Sequence, residues 1–559
     1  MMFADITNPG PSGQPFEKRD TYALLALCVL CLVLFFFRLG GHPLWDVDEG
    51  MHAATSKDMV QTGDWVTPRF NGENFYDKTV LYNWFAAAAF LVFGFTEFAA
   101  RMPAALLGLG TVLATFLLGR RLLGSRAGLL AGVILATSPE FIVLSRVVVH
   151  DISLAFFVTL ALLFFYRAYT VADRRMTHFM LFYASLGLAV LAKGPVGLLL
   201  PGLIIGIFLL VRGRLAFLKE MSLGRGVLVF LAVAAPWYVL MSIRNEDYLR
   251  YFVLKQNLGN FLSKAQAHHP QPFYYYVPML LGGMLPWSLF IPLALFRSLR
   301  QGIKKLGDGV LFPLLWLAVI FLFFSSARSK LGTYVLPCFP AAALLVAGIW
   351  NELLTEPTTG RRRSAAWSLA VLPVLFLVAT AFIVLKHPAF EKMEFPYGIG
   401  LGDLTPVLVI VAVISTAALL LLMSQRYRAS FAALGAVIPA TFLVALMTIL
   451  PLVNPYRSTV KLAKDMDRML PPGGKMTFFW NISDTALFYT DRKAALIWTE
   501  QDLLRYLATD GTPLCVIDTR QYAKLPRVAA ASSIVDTEGS KLLITRRLPQ
   551  ATGPHGGEQ

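Results

Sequence analysis

Apolar residues run down this chain in blocks long enough to cross a bilayer, with the polar residues gathered between them. A helical span needs ~20 consecutive, mostly apolar residues. Such blocks lie near 21–37, 104–119, 127–145, 152–171, 179–192, 195–212, 226–243, 276–296, 310–325, 334–351, 366–386, 404–424 and 430–451. A further apolar segment, 81–95, is ambiguous. From Pro455 the apolar blocks shrink to strand length, at Met476–Trp480, Ala494–Trp498, Leu514–Ile517 and Leu542–Thr545, with a helical pattern over Glu500–Ala508. Pro471-Pro472-Gly473-Gly474 reads as the turn before the first of these strands. The pattern predicts an all-α polytopic membrane protein with about thirteen transmembrane helices over 21–454, then a small α/β domain over 455–550. Residues 551–559 are expected to be a disordered tail.

The basic residues decide the ambiguous segment. They cluster at Lys18-Arg19, Arg120-Arg121 with Arg126, Arg174-Arg175, Arg212 to Lys219, Arg297 to Lys305, Arg361 to Arg363, and Arg426 with Arg428. Lys and Arg beside spans mark the cytoplasmic side. If 81–95 crossed the membrane, every cluster from Arg120 onward would face the wrong way. If it lies along the interface, all of them fall inside. The expected topology is a cytoplasmic N-terminus (1–20), an external loop over 38–103 and an external C-terminal domain. The external face then also holds His150-Asp151, Lys193, the 244–275 loop, Ser326 to Tyr334 and 387–403.

Composition agrees. The chain has 559 residues, 56% of them hydrophobic, and a mean hydropathy of +0.60, which excludes an ordinary soluble protein. The net charge of +16 resides in the clusters between spans, so it argues topology and not nucleic acid. The four cysteines, Cys28, Cys31, Cys338 and Cys515, make no disulfide framework or zinc ribbon. The first apolar run lacks a small-residue cleavage site and reads as a retained helix.

The candidate chemistry sits in the external loop. Trp45-Asp46-Val47-Asp48-Glu49-Gly50 places three acids within four positions beside a membrane. An Asp before a helical stretch caps its amides, and that reading of Asp48 stands beside a catalytic one for Asp48 and Glu49. Asp151 is a second acid at an external span end, able to orient a nucleophile, take a proton or hold a cation. Lys78, in Tyr76-Asp77-Lys78-Thr79, is either a snorkelling lysine or a phosphate contact. Lys193 interrupts an apolar stretch. Arg328 and Lys330 break the positive-inside pattern, which favours an anion-binding role. His268-His269 could ligate a metal if Asp77 or Glu49 approaches, although two adjacent histidines alone do not make a zinc site.

Together these residues resemble the bacterial C-type-fold glycosyltransferases that take sugar from a polyprenyl phosphate. The resemblance points to the 4-amino-4-deoxy-L-arabinose lipid A transferases, relatives of the protein O-mannosyltransferases. It rests on Asp48-Glu49, Gly63-Asp64-Trp65-Val66-Thr67-Pro68, Lys78, Ala100-Arg101-Met102-Pro103, Asp151, Leu191-Ala192-Lys193-Gly194-Pro195, Pro272-Phe273-Tyr274-Tyr275-Tyr276, and Ser329-Lys330-Leu331 with Tyr334. It implies a bacterial inner-membrane enzyme with a periplasmic active site. Its donor would be an undecaprenyl-phosphate-linked sugar and its acceptor lipid A or another membrane-proximal group. Asp48 would be the principal catalytic carboxylate, with Glu49 and Asp151 as further acids. Lys78 with Tyr76, Lys193, Arg328, Lys330 and Tyr334 would bind substrate. No cofactor is implied for the chemistry, but a structural divalent metal such as zinc is, at His268 or His269 with Asp77. The chain departs from the family pattern in having Thr79-Val80 where proline usually follows the lysine, and Asp77 where glutamate is frequent. The alternatives are a protein O-mannosyltransferase-like enzyme and, in another class, a lipid-linked sugar flippase. The latter would show inverted repeats and mid-membrane charges.

Overall fold

The computed structural model describes residues 16–252, 269–384, 397 and 399–547. Among them, ten helices are long and apolar enough to cross a membrane. The pair Phe273–Gly283 and Trp287–Gln301, bent by 116° at its break, makes an eleventh span if counted as one. Two shorter apolar helices, Ser125–Ala136 and Val196–Val211, occupy the remaining two blocks where the pattern places spans. The 127–145 block is interrupted: helix ends at Ala136 and resumes at Pro139, because the position before a proline is driven out of the helical region.

The ambiguous segment forms Leu81–Phe93, hereafter the interfacial helix. Its 13 residues extend only ~20 Å at 1.5 Å per residue, short of the ~30 Å hydrocarbon core. One face is buried through Tyr82, Ala86 and Phe90, while its end exposes Leu91, Val92 and Phe93.

Along the bundle, basic residues and candidate site residues take opposite helix ends. Glu97–Leu123 has Arg101 in its first turns and Arg120-Arg121 in its last. Asp151–Thr170 starts on the candidate acid and ends near Arg167. Arg175–Lys193 does the reverse, so Lys193 returns to the end where Asp151 begins.

The external loop carries its own helix, Asp48–Thr62, hereafter the loop helix. Asp48 and Glu49 in its first turn suit the positive helix end. Gly63, at φ +70°, closes it in the left-handed conformation that glycine adopts without strain. Two short strands, β1 (Arg69–Phe70) and β2 (Glu73–Asn74), pair as a hairpin beyond it.

The last span, Tyr427–Arg457, runs into the C-terminal domain. There β3 (Met476–Phe479), β4 (Ala494–Ile497), β5 (Cys515–Asp518), β6 (Ser532–Glu538) and β7 (Lys541–Arg546) form one sheet in the order β4-β3-β5-β7-β6. β3 is parallel to β4 and β5, and β7 is antiparallel to β5 and β6. Apolar clusters cover the domain on two sides, one around Leu462, Met466 and Phe478, the other around Leu503, Ile517 and Ile544. The strand β6 was not expected from the pattern. It is a bulged edge strand with Ile534 and Val535 exposed, so no run of buried positions announces it.

Candidate active site

The three neighbouring acids of the loop have three different environments. Glu49 is buried, and Arg101 grips it with both arms: Nε to Oε1 at 2.8 Å and Nη2 to Oε2 at 2.8 Å. The amides of Trp45 (3.0 Å) and Val148 (3.1 Å) donate to the same carboxylate. Burial pushes the Glu49 carboxyl up, but the Arg101 charge outweighs it and holds the group below its ordinary range. Arg101 also donates to the carbonyls of Leu39, His42 and Pro43. Glu49, expected among the catalytic acids, is therefore engaged in a structural ion pair that fastens the loop to the membrane domain.

Asp48 is the first residue of the loop helix but not its cap. The N-cap position belongs to Val47, and no side-chain capping bond forms. Asp48 is exposed, with no hydrogen-bond or ion-pair partner among the described residues. Its charge is felt at Lys193, Tyr334 and Asp484.

Asp151, Lys193 and Tyr334 meet where three helix ends converge. Lys193 Nζ is ion-paired with Asp151 Oδ1 and lies 3.8 Å from the centroid of the Tyr334 ring. Thr333 Oγ1 donates to Asp151 Oδ2 at 3.1 Å. Beside them opens a cavity of about 130 Å³. Asp77, Lys78, Thr79, His150, Lys193 and Tyr334 form its polar wall, and Val196, Phe252, Phe323 and Phe324 its apolar wall. Lys78 has no hydrogen-bond or ion-pair partner among the described residues, so its ammonium is available to an anion. A cavity with one cationic wall and one aromatic wall, at the ends of spans, suits a phosphate carried on an apolar chain.

Other candidates are placed elsewhere. Tyr76 donates to Asn245 Oδ1 at 3.1 Å and packs edge-on against Tyr248 and Tyr251, a bracing role outside the cavity wall. Lys330, expected at an anion, is buried and turned onto the carbonyls of Gln271 (3.0 Å) and Ala327, pinning the 269–271 segment. Arg328 is exposed and outside the cavity wall. Asp77 accepts from the Tyr251 hydroxyl, and His269 is exposed. His268 lies outside the described residues. Among the described residues no group of three or more His, Cys, Asp or Glu is placed to hold a metal. Asp77 and His269 therefore belong to no such group.

His52 and His150 also meet beside the Asp151–Lys193–Tyr334 cluster. The His150 ring lies in the cavity wall, 4.3 Å centroid to centroid from His52. Its nitrogens are buried beside the Thr79 backbone, and Thr79 Oγ1 is buried without a hydrogen-bond partner among the described residues. Burial, then Lys78 and Lys193, hold the His150 imidazole down at about 3, so it is neutral at physiological pH. Its signal in the sequence was its position beside Asp151.

The C-terminal domain brings a further acid. Asp484 is buried, and burial, then the charges of Asp46 and Asp48, raise its carboxyl to about 7. A raised acid is favoured in its neutral form in the folded state. The cost of ionising it grows from about pH 4, where an ordinary Asp titrates, and is complete above about pH 7. Asp484→Asn should therefore raise the melting temperature most above pH 7 and least below pH 4. Stabilisation independent of pH between 4 and 8 would remove this assignment.

Residues 77–240 match a family model described as dolichyl-phosphate-mannose-protein mannosyltransferase. An uncharacterized protein of Aquifex aeolicus is 30% identical over 388 residues, 68% of this chain and 75% of its own. The undecaprenyl phosphate-alpha-4-amino-4-deoxy-L-arabinose arabinosyl transferase of Pseudomonas aeruginosa (strain UCBPP-PA14) is 31% identical over 387 residues, 68% of either chain. The Aeromonas hydrophila enzyme of the same name is 31% identical over 376 residues, 67% of either chain. In structure, ArnT from Cupriavidus metallidurans bound to undecaprenyl phosphate superposes with a TM-score of 0.79, covering 95% of this chain and 99% of that one at 23% identity. The fold is thus the C-type glycosyltransferase fold, and a multi-span bundle with a phosphate-suited cavity at its span ends is what a lipid-linked sugar transferase requires. The chain belongs to the family of the undecaprenyl phosphate-alpha-4-amino-4-deoxy-L-arabinose arabinosyl transferases, membrane glycosyltransferases that share the C-type fold.

Proposed function

We propose that this bacterial inner-membrane glycosyltransferase moves 4-amino-4-deoxy-L-arabinose, or a closely related sugar, from undecaprenyl phosphate to a phosphate of lipid A on the periplasmic face. The observation that carries this reading is that Lys78 in the cavity wall, and Asp48, whose charge is felt at Lys193 and Tyr334, both lack a hydrogen-bond or ion-pair partner among the described residues. A displacement at an anomeric carbon needs that division of charge. An acceptor oxygen attacks the carbon, the bond to the lipid phosphate breaks, and the phosphate leaves with the electron pair. Lys78 and Lys193 stabilise the departing anion. Asp151 aims Lys193 through their ion pair, and Tyr334 backs it. The sugar arrives already activated as a phosphate ester, so no strong general acid is required. If the acceptor is a hydroxyl, Asp48 takes its proton. A phosphate acceptor is largely ionised near neutral pH, its second pKa being roughly 6. Asp48 then orients it and stabilises positive character on the sugar ring.

The lysines provide the charge stabilisation, so the reaction is proposed to need no cofactor. Mass spectrometry of lipid A from cells with and without the gene tests the substrate assignment. The expected result is an aminopentose on a lipid A phosphate, present only with the gene, and purified enzyme that turns over equally in EDTA. Unmodified lipid A together with newly mannosylated proteins would move the assignment to a protein O-mannosyltransferase. Loss of turnover in EDTA, restored by magnesium, would replace the lysine clamp with a divalent ion.

A further inference from the structure

The first acid of the loop, Asp46, has no part in the chemistry above, yet its carboxylate accepts four hydrogen bonds, as many as that of Glu49. Oδ2 receives Lys541 Nζ at 2.8 Å and Ser483 Oγ at 2.5 Å, with Thr459 Oγ1 at 3.4 Å. Oδ1 receives the Thr485 amide at 2.8 Å. All four donors lie beyond the last span, in or leading into the C-terminal domain. The Asp46 amide donates to the Arg457 carbonyl at 2.7 Å, and Trp45 Nε1 to Asn454 Oδ1 at 3.0 Å, both at the end of the last span.

The contact continues along the loop helix. A side chain on Gly50 would place its Cβ 2.4 Å from the Thr485 nitrogen, so the loop helix and Asp484–Tyr489 approach backbone to backbone. At the far end, Lys57 Nζ donates to the Phe488 carbonyl at 2.9 Å and pairs with Asp491 at 3.0 Å. Glu49 meanwhile fastens the opposite side of the same helix to Arg101.

We propose that the C-terminal domain is a working part of the catalytic centre, with Asp46 and Lys541 as positioning residues that fix Asp48. Asp48 stands between two clamps. Asp46, two residues before it, is held by the domain, and Glu49, one residue after it, by the membrane bundle. A carboxylate that must meet a reacting centre tolerates displacement of less than about 1 Å. A loop supplies that precision only when neighbouring groups are locked by charge-assisted hydrogen bonds. The cavity residues named above all come from the membrane bundle and its loops, so the domain governs the acid without touching the donor phosphate site.

This inference rests on the proposed role of Asp48, and the test separates the two. Full-length Lys541→Met, Lys541→Arg, Asp46→Asn and Ser483→Ala proteins are compared for kcat, donor KM, undecaprenyl phosphate affinity and melting temperature, with Asp48→Asn as reference. Turnover is assayed with undecaprenyl-phosphate-linked aminoarabinose and lipid A. Lys541→Met and Asp46→Asn should lower kcat at least tenfold while donor KM and undecaprenyl phosphate affinity stay within twofold. Lys541→Arg, which keeps the charge, should recover most of kcat. Ser483→Ala removes an uncharged hydroxyl that bonds Asp46 and also touches Thr459, Thr485 and Lys541; it strands no buried charge and should fold even if the charge variants do not, lowering kcat a few-fold at unchanged KM. Wild-type kcat in the folded variants, with Asp48→Asn inactive, overturns the clamp and leaves the function standing. Full activity in Asp48→Asn overturns the role of Asp48, and the clamp with it.

Discussion

Asp48→Asn is expected to abolish sugar transfer while the protein inserts, folds and binds undecaprenyl phosphate as before. The substitution keeps the side chain's shape and removes its charge. Asp48 donates nothing to the architecture: it makes no capping bond and no ion pair among the described residues, and asparagine suits a helix start about as well as aspartate. Lys78, the proposed holder of the donor phosphate, lies on a different segment. The loss should therefore appear in kcat, by a factor of about 10²–10⁴ if the carboxylate handles a proton. Turnover and undecaprenyl phosphate affinity measured on the same preparation decide it. Wild-type turnover would return Asp48 to a residue of the helix start.

Glu49→Ala should do the opposite, damaging the fold first and activity as a consequence. It strands the buried Arg101 guanidinium, and breaking a buried ion pair by removing one partner costs about 3–5 kcal/mol. It also orphans the amides of Trp45 and Val148. Against a total stability of about 5–15 kcal/mol typical of a domain, the loop should detach or the protein fail to accumulate. The double substitution Glu49→Ala with Arg101→Met should be more stable than Glu49→Ala alone, because the unpaired charge is gone. Thermal unfolding in detergent reads both. A Glu49→Ala protein melting with the wild type would refute the structural assignment.

Adjacent residues Asp48 and Glu49 thus have separate fates, and the reason explains what a sequence can disclose. Successive side chains on a helix point ~100° apart, so one faces the external site and the other the protein, but nothing local says which. Arg101 held the missing clue: an arginine among the apolar residues of a span demands a buried counter-charge. The spans were legible because hydropathy reports burial in lipid directly, and the 81–95 segment, which the basic clusters exclude as a span, forms a helix of only 13 residues. Hydropathy does not report direction, so the break before Pro139 and the 116° bend before Trp287 were invisible in it. The convergence of Asp151, Lys193 and Tyr334 was foreshadowed by their places at span ends. Lys330 shared that signature and yet turned onto backbone carbonyls, since a position at a span end does not specify a rotamer. The link between Asp46 and Lys541 joins positions 495 apart, and no periodicity or motif spans such a distance.

That separation has a consequence for biogenesis. The segment carrying Asp46 and Asp48 is translated early, and Lys541 follows 495 residues after Asp46, roughly 25–100 s at ~5–20 residues per second. Under the proposed clamp, the nascent chain in that interval has its membrane bundle but not the partners that hold Asp46. Sugar transfer would then begin only once the last domain has been exported and has folded against the loop, and enzymatic activity would report that translation and export have both finished.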